Sequence, residues 1–352
     1  MSAPRHEGNG RSTVQLLSTP VREASAWRAS DLAADSSWIY ELTDDDVSEL
    51  NQAIAGIQFR GLGPISFGRA DFPLPRLGNL ISRLLHQLEF GRGCALIRGL
   101  PVGHYDAKML SILYWGLGSH LGQPISQNAQ GELIAHVRDT GRDYKQKNVR
   151  GYLTRAPLAP HSDSCDVVGL LCVSAARTGG SSIFASSMTI YNEILAHHPE
   201  YLEALYRGFH YDLRGEGATG DPNEVTRRRV PVFSYFDGRL SCRFNGRSIE
   251  NGMTKAGVPL SALEQEAIDY IAELVWRSDI GFRMSFRAGD IQLLNNHVML
   301  HAREGYEDHN DEGRKRDLMR LWLNLYAGRK LAPDFADRFN TGPRGGVPVH
   351  QD

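Results

Sequence analysis

The 352-residue sequence is poor in the features that mark membrane, secreted and nucleic-acid-binding proteins. No window approaches the 18 apolar residues that a helix needs to cross a bilayer. The opening stretch, MSAPRHEGNGRST, lacks the apolar run of a secretory signal. Only four cysteines occur, Cys94, Cys165, Cys172 and Cys242, and no two form a C-x-x-C pair. Cys94 and Cys172 sit in the apolar runs CALI and LLCV, as buried free thiols do. A disulfide framework is therefore not expected, and a reducing, cytoplasmic setting is. Neither sign of charge dominates: 39 Lys and Arg stand against 41 Asp and Glu, a net charge of -2. No long-range field advertises a nucleic-acid or membrane partner. The single basic run, Arg227-Arg228-Arg229, reads as a solvated turn or strand end. No H-E-x-x-H, P-loop or G-x-S-x-G pattern is found. Gly215 to Gly220 does satisfy G-x-G-x-x-G, but Asp221-Pro222-Asn223 follows it. That sequence cannot open the helix a dinucleotide-binding turn requires, so the segment reads as a loop over an active site.

What the chain does have is an ordinary globular composition, 41% apolar and 23% charged, and enough length for one large core or two smaller ones. Residues 1 to about 12 are polar and Gly-rich and are expected to be disordered. Residues 13–352 read as one domain. A helical layer over about 40–122 opens at the cap Thr43-Asp44-Asp45-Asp46, followed by a stripe of Leu50, Ala53, Ile54 and Ile57. A second helix is expected over Arg76–Phe90 with Leu80, Leu84, Leu85 and Leu88 buried. A short strand at Gly93–Gly99 and a helix at about Ala107–Leu121 complete the layer. From about 125 to 330 the texture changes to short apolar runs punctuated by Gly, Pro, Asp and Asn. Many short strands predict a mainly β sandwich or barrel with flanking α-helices, not a doubly wound sheet. Two helices interrupt them, at about Met188–Leu205 and Leu260–Arg277.

The chemistry is concentrated in two places. Pro160-His161-Ser162-Asp163-Ser164 enters the apolar run Val167–Cys172. Residues i and i+2 of a strand share a face, so His161 and Asp163 would present an imidazole and a carboxylate together. With 13 histidines in the chain, such a pair alone is weak evidence. Downstream, the turn Ala288-Gly289-Asp290 launches a predicted strand ending in His301, with His297 as a rival of the same parity. Arg316 lies fifteen residues after His301, and Arg320 four further on. Two cations on one face of an otherwise apolar strand require something anionic between or beside them. Two histidines and a carboxylate with open positions form the facial triad of non-haem iron(II) oxygenases. A dicarboxylate cosubstrate would need a fixed, bidentate cation, which arginine supplies better than lysine.

From about Gly93 to Tyr326 the sequence resembles the taurine dioxygenase/clavaminate synthase-like family of Fe(II)/2-oxoglutarate-dependent oxygenases. The resemblance runs in order through Gly99-Leu-Pro, His161-Ser-Asp163, Gly179-Gly180-Ser181-Ser182, Asn296…His301-Ala-Arg303 and Arg316…Arg320-Leu-Trp-Leu. It implies a double-stranded β-helix (jelly-roll, cupin-like) core with His161, Asp163 and His301 as iron ligands. It also implies Fe(II) as cofactor, with 2-oxoglutarate and O2 as cosubstrates. Arg316 would pair with the distal carboxylate of 2-oxoglutarate, and Ser182 stands where the family often has a cosubstrate-binding threonine. Arg320 matches a position that contacts an acidic group of the substrate in some members and lines the cosubstrate pocket in others.

The expected activity is hydroxylation or desaturation of a small molecule, one bearing an acidic group or resembling an amino acid, coupled to release of succinate and CO2. Related halogenating enzymes lack the carboxylate that Asp163 supplies. Arg243 and Asn245 could line the pocket, and the loops 138–158 and 212–229 would set selectivity. A Zn-dependent cupin-like hydrolase or isomerase, and a non-catalytic 2-oxoglutarate or metal sensor, are the alternatives. A homo-oligomer is compatible with the sequence; nucleic-acid and membrane partners are not expected.

Overall fold

The computed structural model describes residues 16–143 and 149–350. The expectation about residues 1 to 12 lies outside the described residues.

The core is built from two antiparallel β-sheets that share one apolar cluster, the double-stranded β-helix arrangement. The larger sheet runs in the order Ile39–Glu41, Cys94–Arg98, Ile291–Asn295, Val167–Ser174, Asp317–Leu325, Gly122–Pro124, with Ile134–Val137 also paired to Asp317–Leu325. Only the edge pair of Ile39–Glu41 with Cys94–Arg98 is parallel. The smaller sheet runs Phe282–Met284, Ser182–Ser186, Met299–Arg303, Leu158–His161. Cys94, Leu96, Val168, Leu294 and Trp322 from the larger sheet meet Ile183, Phe184, Ala185 and Met284 from the smaller one.

Period-2 alternation explains how the larger sheet serves two cores. On Asp317–Leu325, residues Met319, Leu321 and Leu323 join the cluster under the N-terminal helices. Arg320 and Trp322, of opposite parity, point toward the interior between the sheets, where the candidate site lies. The helices Asp44–Phe59, Gly78–Glu89 and Ala107–Leu121 cover the outer face with Leu50, Ile54, Leu84, Leu88 and Leu113, all 2% exposed or less. Full burial of each such side chain contributes about 1.5–3 kcal/mol, which fastens this layer to the sheet. The cap expected at Thr43 is present, its hydroxyl accepting from Asp46 N and its own N–H donating to the Asp46 carboxylate at 2.9 Å.

Several element expectations are corrected. The helix expected over Met188–Leu205 is Ser187–His197, then a 3-10 turn at Pro199–Tyr201, then Leu202–Arg207. Pro199 has no N–H to give and forces the preceding residue out of the helical region. On Gly78–Glu89 the buried stripe is Ile81, Leu84 and Leu88, whereas Leu80 and Leu85 are only half-buried. A helix over Gly246–Lys255 was not expected; Asn245 caps it, its side-chain oxygen accepting from Ser248 N at 3.0 Å. The strand expected to run into His301 is two strands in different sheets, Ile291–Asn295 and Met299–Arg303, joined by a turn that carries His297.

Candidate metal and cosubstrate site

His161 and His301 occupy directly opposed positions on the antiparallel pair Leu158–His161 and Met299–Arg303. Their rings lie 4.4 Å apart, centroid to centroid. Asp163 lies two residues past the strand end, not on the strand itself. Its place is fixed by its own N–H, which donates to Asn296 Oδ1 at 2.8 Å. The three side chains offer ligand atoms that all fall within 4.8 Å of one another. His161 Nε2 stands 3.9 Å from one oxygen of Asp163, and His301 Nε2 stands 3.6 Å from the other. These separations are too long for hydrogen bonds and leave room for an ion between the three groups.

The electrostatics favour deprotonated Asp163 and His301. His161 Nδ1 donates to Ala159 O at 2.8 Å, which turns the Nε2 lone pair toward Asp163. Burial, and then the neighbouring His161, push the His301 imidazolium down to about 3, so this ring is neutral at ordinary pH. Burial alone would raise the Asp163 carboxyl, but Arg320, His301 and His161 outweigh it and hold the group below the usual carboxylate range.

Arg316, Ser182 and Arg320 line the same inner cavity as the triad, with Tyr152 and Arg303. The Arg316 side chain is buried, and its guanidinium lies 4.9 Å from the Tyr306 ring centroid. It donates to Val137 O at 3.4 Å, and among the described residues no carboxylate forms an ion pair with it. The Gly179-Gly180 step is explained by this packing. Both glycines have φ of 72°, and a Cβ on Gly180 would lie 3.3 Å from Arg316 Nε. Ser182 is buried and its hydroxyl donates to Gln292 Oε1 at 3.0 Å.

All six site residues expected from the sequence therefore converge. The rival His297 does not join them: it is buried in the turn before Met299, with Nε2 donating to Asp166 at 3.0 Å. Asn245 reaches the site's outer cleft, but its side chain is spent on the helix cap. Arg243 lines the same cleft, buried over the Tyr211 ring and bonded to the carbonyls of Asp337 and Arg338. That cleft, of about 540 Å³, opens from His161 and Asp163 and is walled by Arg150, Arg214 and Glu216 from the loops 138–158 and 212–229, and by Gln127, Arg338 and Phe339, which no sequence pattern singled out. They come from turns and from the C-terminal tail, where neither period nor spacing carries a signal.

Residues 39–322 match the model of the family described as "Taurine catabolism dioxygenase TauD, TfdA family". The chain belongs to this family. Like its other members it is a 2-oxoglutarate-dependent non-haem iron dioxygenase, using Fe(II), 2-oxoglutarate and O2 and acting on a small molecule. It is 34% identical over 322 residues to FR-33289 synthase of Streptomyces rubellomurinus, covering 90% of this chain and 94% of that protein. It is 30% identical over 319 residues to a taurine hydroxylase-like protein of Stachybotrys chartarum, covering 87% of this chain and 80% of the other. Its fold is similar to that of an asparagine oxygenase solved with Fe(II), hydroxyasparagine and succinate, with a TM-score of 0.65 and 15% identity over 82% of this chain and 94% of the other. Among the described residues no helix is long and apolar enough to cross a membrane.

Proposed function

We propose that His161, Asp163 and His301 hold the iron of this dioxygenase, that Arg316 receives the distal carboxylate of 2-oxoglutarate, and that the substrate approaches from the outer cleft. The observation that carries the assignment is the convergence of the triad and an acid-free, buried arginine on one cavity. The donor set fits Fe(II): two imidazoles and one carboxylate, facing one another across a gap with no hydrogen bond between them. With iron and its cosubstrates bound, the site supplies oxidation of a substrate C–H bond coupled to cleavage of 2-oxoglutarate into succinate and CO2.

The chain's own part is binding, orientation and exclusion of water. Ala159 O sets the tautomer of His161. Asn296 fixes the backbone at Asp163. Asp163 fills a position that halogenating relatives leave open, which favours hydroxylation or desaturation. Arg316 offers a bidentate donor whose burial strengthens its hold on a carboxylate. Ser182 lines the same cavity, its hydroxyl donating to Gln292 Oε1. Arg320 stands between the cavity and the cleft and lines both, a position suited to an acidic or amino-acid-like substrate. On this reading residues 13–352 are one oxygenase domain working in a reducing cytoplasm, where the four free buried cysteines stay reduced.

Anaerobic addition of Fe(II) and 2-oxoglutarate tests the assignment. A visible charge-transfer band should form in the wild type and be absent in Asp163→Ala. A band of full strength in that variant would remove Asp163 from the ligand set. Zn-dependent turnover without O2 would favour the hydrolase alternative instead.

A further inference from the structure

The segment that matches the family's model ends at residue 322, and the chain that follows returns to the outer cleft. On the reading that this cleft admits the substrate, on which this inference rests, the tail is part of the substrate chamber. After the strand Asp317–Leu325 comes a short helix, Pro333–Ala336, and then Asp337 bridges to Pro343 and closes a loop. Arg338 and Phe339 stand in that loop and line the cleft, 3% and 6% exposed. Phe339 shares the wall with Tyr211, Phe244, Ile268 and Trp322. A ring so placed bounds the contents of the cleft only if it cannot swing away.

The loop is tied down on two sides. Toward the metal site, Arg338 and Arg344 donate to the two oxygens of Asp166, at 2.6 and 2.8 Å. Asp166 O accepts from Asn296 N at 2.9 Å, and Asn296 Oδ1 holds the N–H of Asp163. A series of hydrogen bonds thus runs from Asp163 to the residue before Phe339. Toward the far wall, Phe339 O accepts from Ala218 N at 3.0 Å. Asn340 donates to Glu224 Oε1 at 2.7 Å and to Val225 O at 3.0 Å, and accepts from Arg227 N at 2.9 Å. His350 Nε2 donates to Gly217 O at 2.9 Å. Asn340 and Arg344 both hold left-handed backbone, with φ of 59° and 61°. Such conformations persist in residues with side chains only where the surroundings over-determine them. Phe339 is therefore a fixed wall, not a loose tail.

We propose that Phe339 is a specificity-determining residue that limits how long an apolar chain the substrate can carry, and that Asp166, with Arg338 and Arg344, positions it. The sequence placed selectivity in the loops 138–158 and 212–229. The tail adds a rigid aromatic boundary from beyond the matched segment and pins the second of those loops. A packed apolar wall discriminates by about ten- to two-hundredfold for a single methylene, because neither the ring nor the surplus group can move aside without losing contacts.

Calorimetry on anaerobic enzyme loaded with Fe(II) and 2-oxoglutarate compares butyrate with octanoate, which share a head group and differ only in length. Wild type should bind butyrate at least about tenfold tighter than octanoate. Phe339→Ala should cancel most of that preference by strengthening octanoate, while changing butyrate much less. Arg344 is not among the residues that line the cleft, so Arg344→Met loosens the wall without touching a probe. It should shift the preference in the same direction, and Arg344→Lys, which keeps a cation for Asp166, should restore it. Octanoate bound as tightly as butyrate by wild type, no binding by either probe, or an unshifted preference in Phe339→Ala would overturn the proposal. An unshifted preference in Arg344→Met would strike the positioning role of Asp166. A uniform loss of both probes in Phe339→Ala would show a merely structural role and also count against the proposal. The charge-transfer band separates the two levels: if it forms normally and the preference still fails to shift, this inference falls and the oxygenase assignment stands.

Discussion

The inner cavity and the outer cleft are neighbours built by different rules. Much of the inner cavity is placed by sheet geometry, although Asp163 lies two residues past its strand and is held by Asn296. His161 and His301 are opposed across one antiparallel pair, Arg320 follows the parity of its strand, and Gly180 leaves the space in which Arg316 lies. The outer cleft takes its walls from a turn near Arg150, a Gly-rich loop at Arg214 to Glu216, a short helix after Asn245 and the C-terminal tail at Arg338 and Phe339. On the proposed assignment the scaffold would fix which reaction runs, and the segments hung on it the molecule that reacts.

The comparison breaks most sharply at Asp163. Asp163→Ala should abolish iron retention and succinate formation while leaving the thermal midpoint within a few degrees, because its carboxylate lines the cavity and belongs to none of the apolar clusters. Metal analysis after desalting and a succinate assay check this, and succinate formation at the wild-type rate would remove the residue from the inner site. Arg316→Ala comes next. Breaking a buried charge pair costs about 3 kcal/mol, so 2-oxoglutarate should bind more than a hundredfold more weakly while iron is still held. An unchanged cosubstrate affinity would move the cosubstrate elsewhere in the cavity.

The two regions are not independent, since Asp166 ties them together. Its carboxylate accepts from His297 at 3.0 Å, from Arg338 at 2.6 Å and from Arg344 at 2.8 Å, joining the tail that walls the cleft to the loop that carries Asp163. Burial pushes the His297 imidazolium from its ordinary 6.5 down to about 4, against the pull of Asp166. A lowered folded value means that stability is fully present above 6.5 and is lost as the pH falls through 4. The loss amounts to roughly 3 kcal/mol from this group. Asp166, held low by the same partners, contributes its own loss only below the ordinary carboxylate range, outside that window. Denaturant unfolding of wild type and His297→Gln between pH 7 and pH 4 isolates the term, because His301 is common to both. Parallel stability curves would show that the link does not depend on a neutral His297.

Legibility in the sequence follows the same division. The strands under the inner cavity announce themselves through period-2 patterns, whereas Arg316 stands one residue before the strand Asp317–Leu325 and ahead of a register shift between Asp317 and Leu318, so strand parity does not by itself set it beside Arg320. The turn that splits Ile291–Asn295 from Met299–Arg303 was not legible, since Asn296-His297-Val298 contains no Gly or Pro and both flanks are apolar. The break at Pro199 was legible in principle, and the apolar run on either side masked it. The loops that carry Arg150 and Glu216 were named, but the pairing of these residues, and Arg338 altogether, were illegible for a different reason. They meet only through long-range folding, Arg150 and Glu216 being separated by 66 positions and Arg338 and Asp166 by 172.

The smallest effect tests where the inner region ends. Ser182 keeps the hydroxyl of the threonine that relatives often have, but that hydroxyl already donates to Gln292 Oε1 at 3.0 Å. Its lone pairs, not its proton, are therefore what it can offer a cosubstrate. Acceptors do not attract a carboxylate, so Ser182 would help only by turning its O–H away from Gln292 toward the ligand. The gain from such an exchange is the difference between two neutral hydrogen bonds. Ser182→Ala should thus weaken 2-oxoglutarate binding by about 1 kcal/mol or less, far below the Arg316 effect. Titrating the cosubstrate into both variants and the double variant gives the coupling between them. Additive losses would mean that Arg316 holds the carboxylate by itself. A loss at Ser182→Ala as large as that at Arg316→Ala would mean that the serine and arginine act as one receptor.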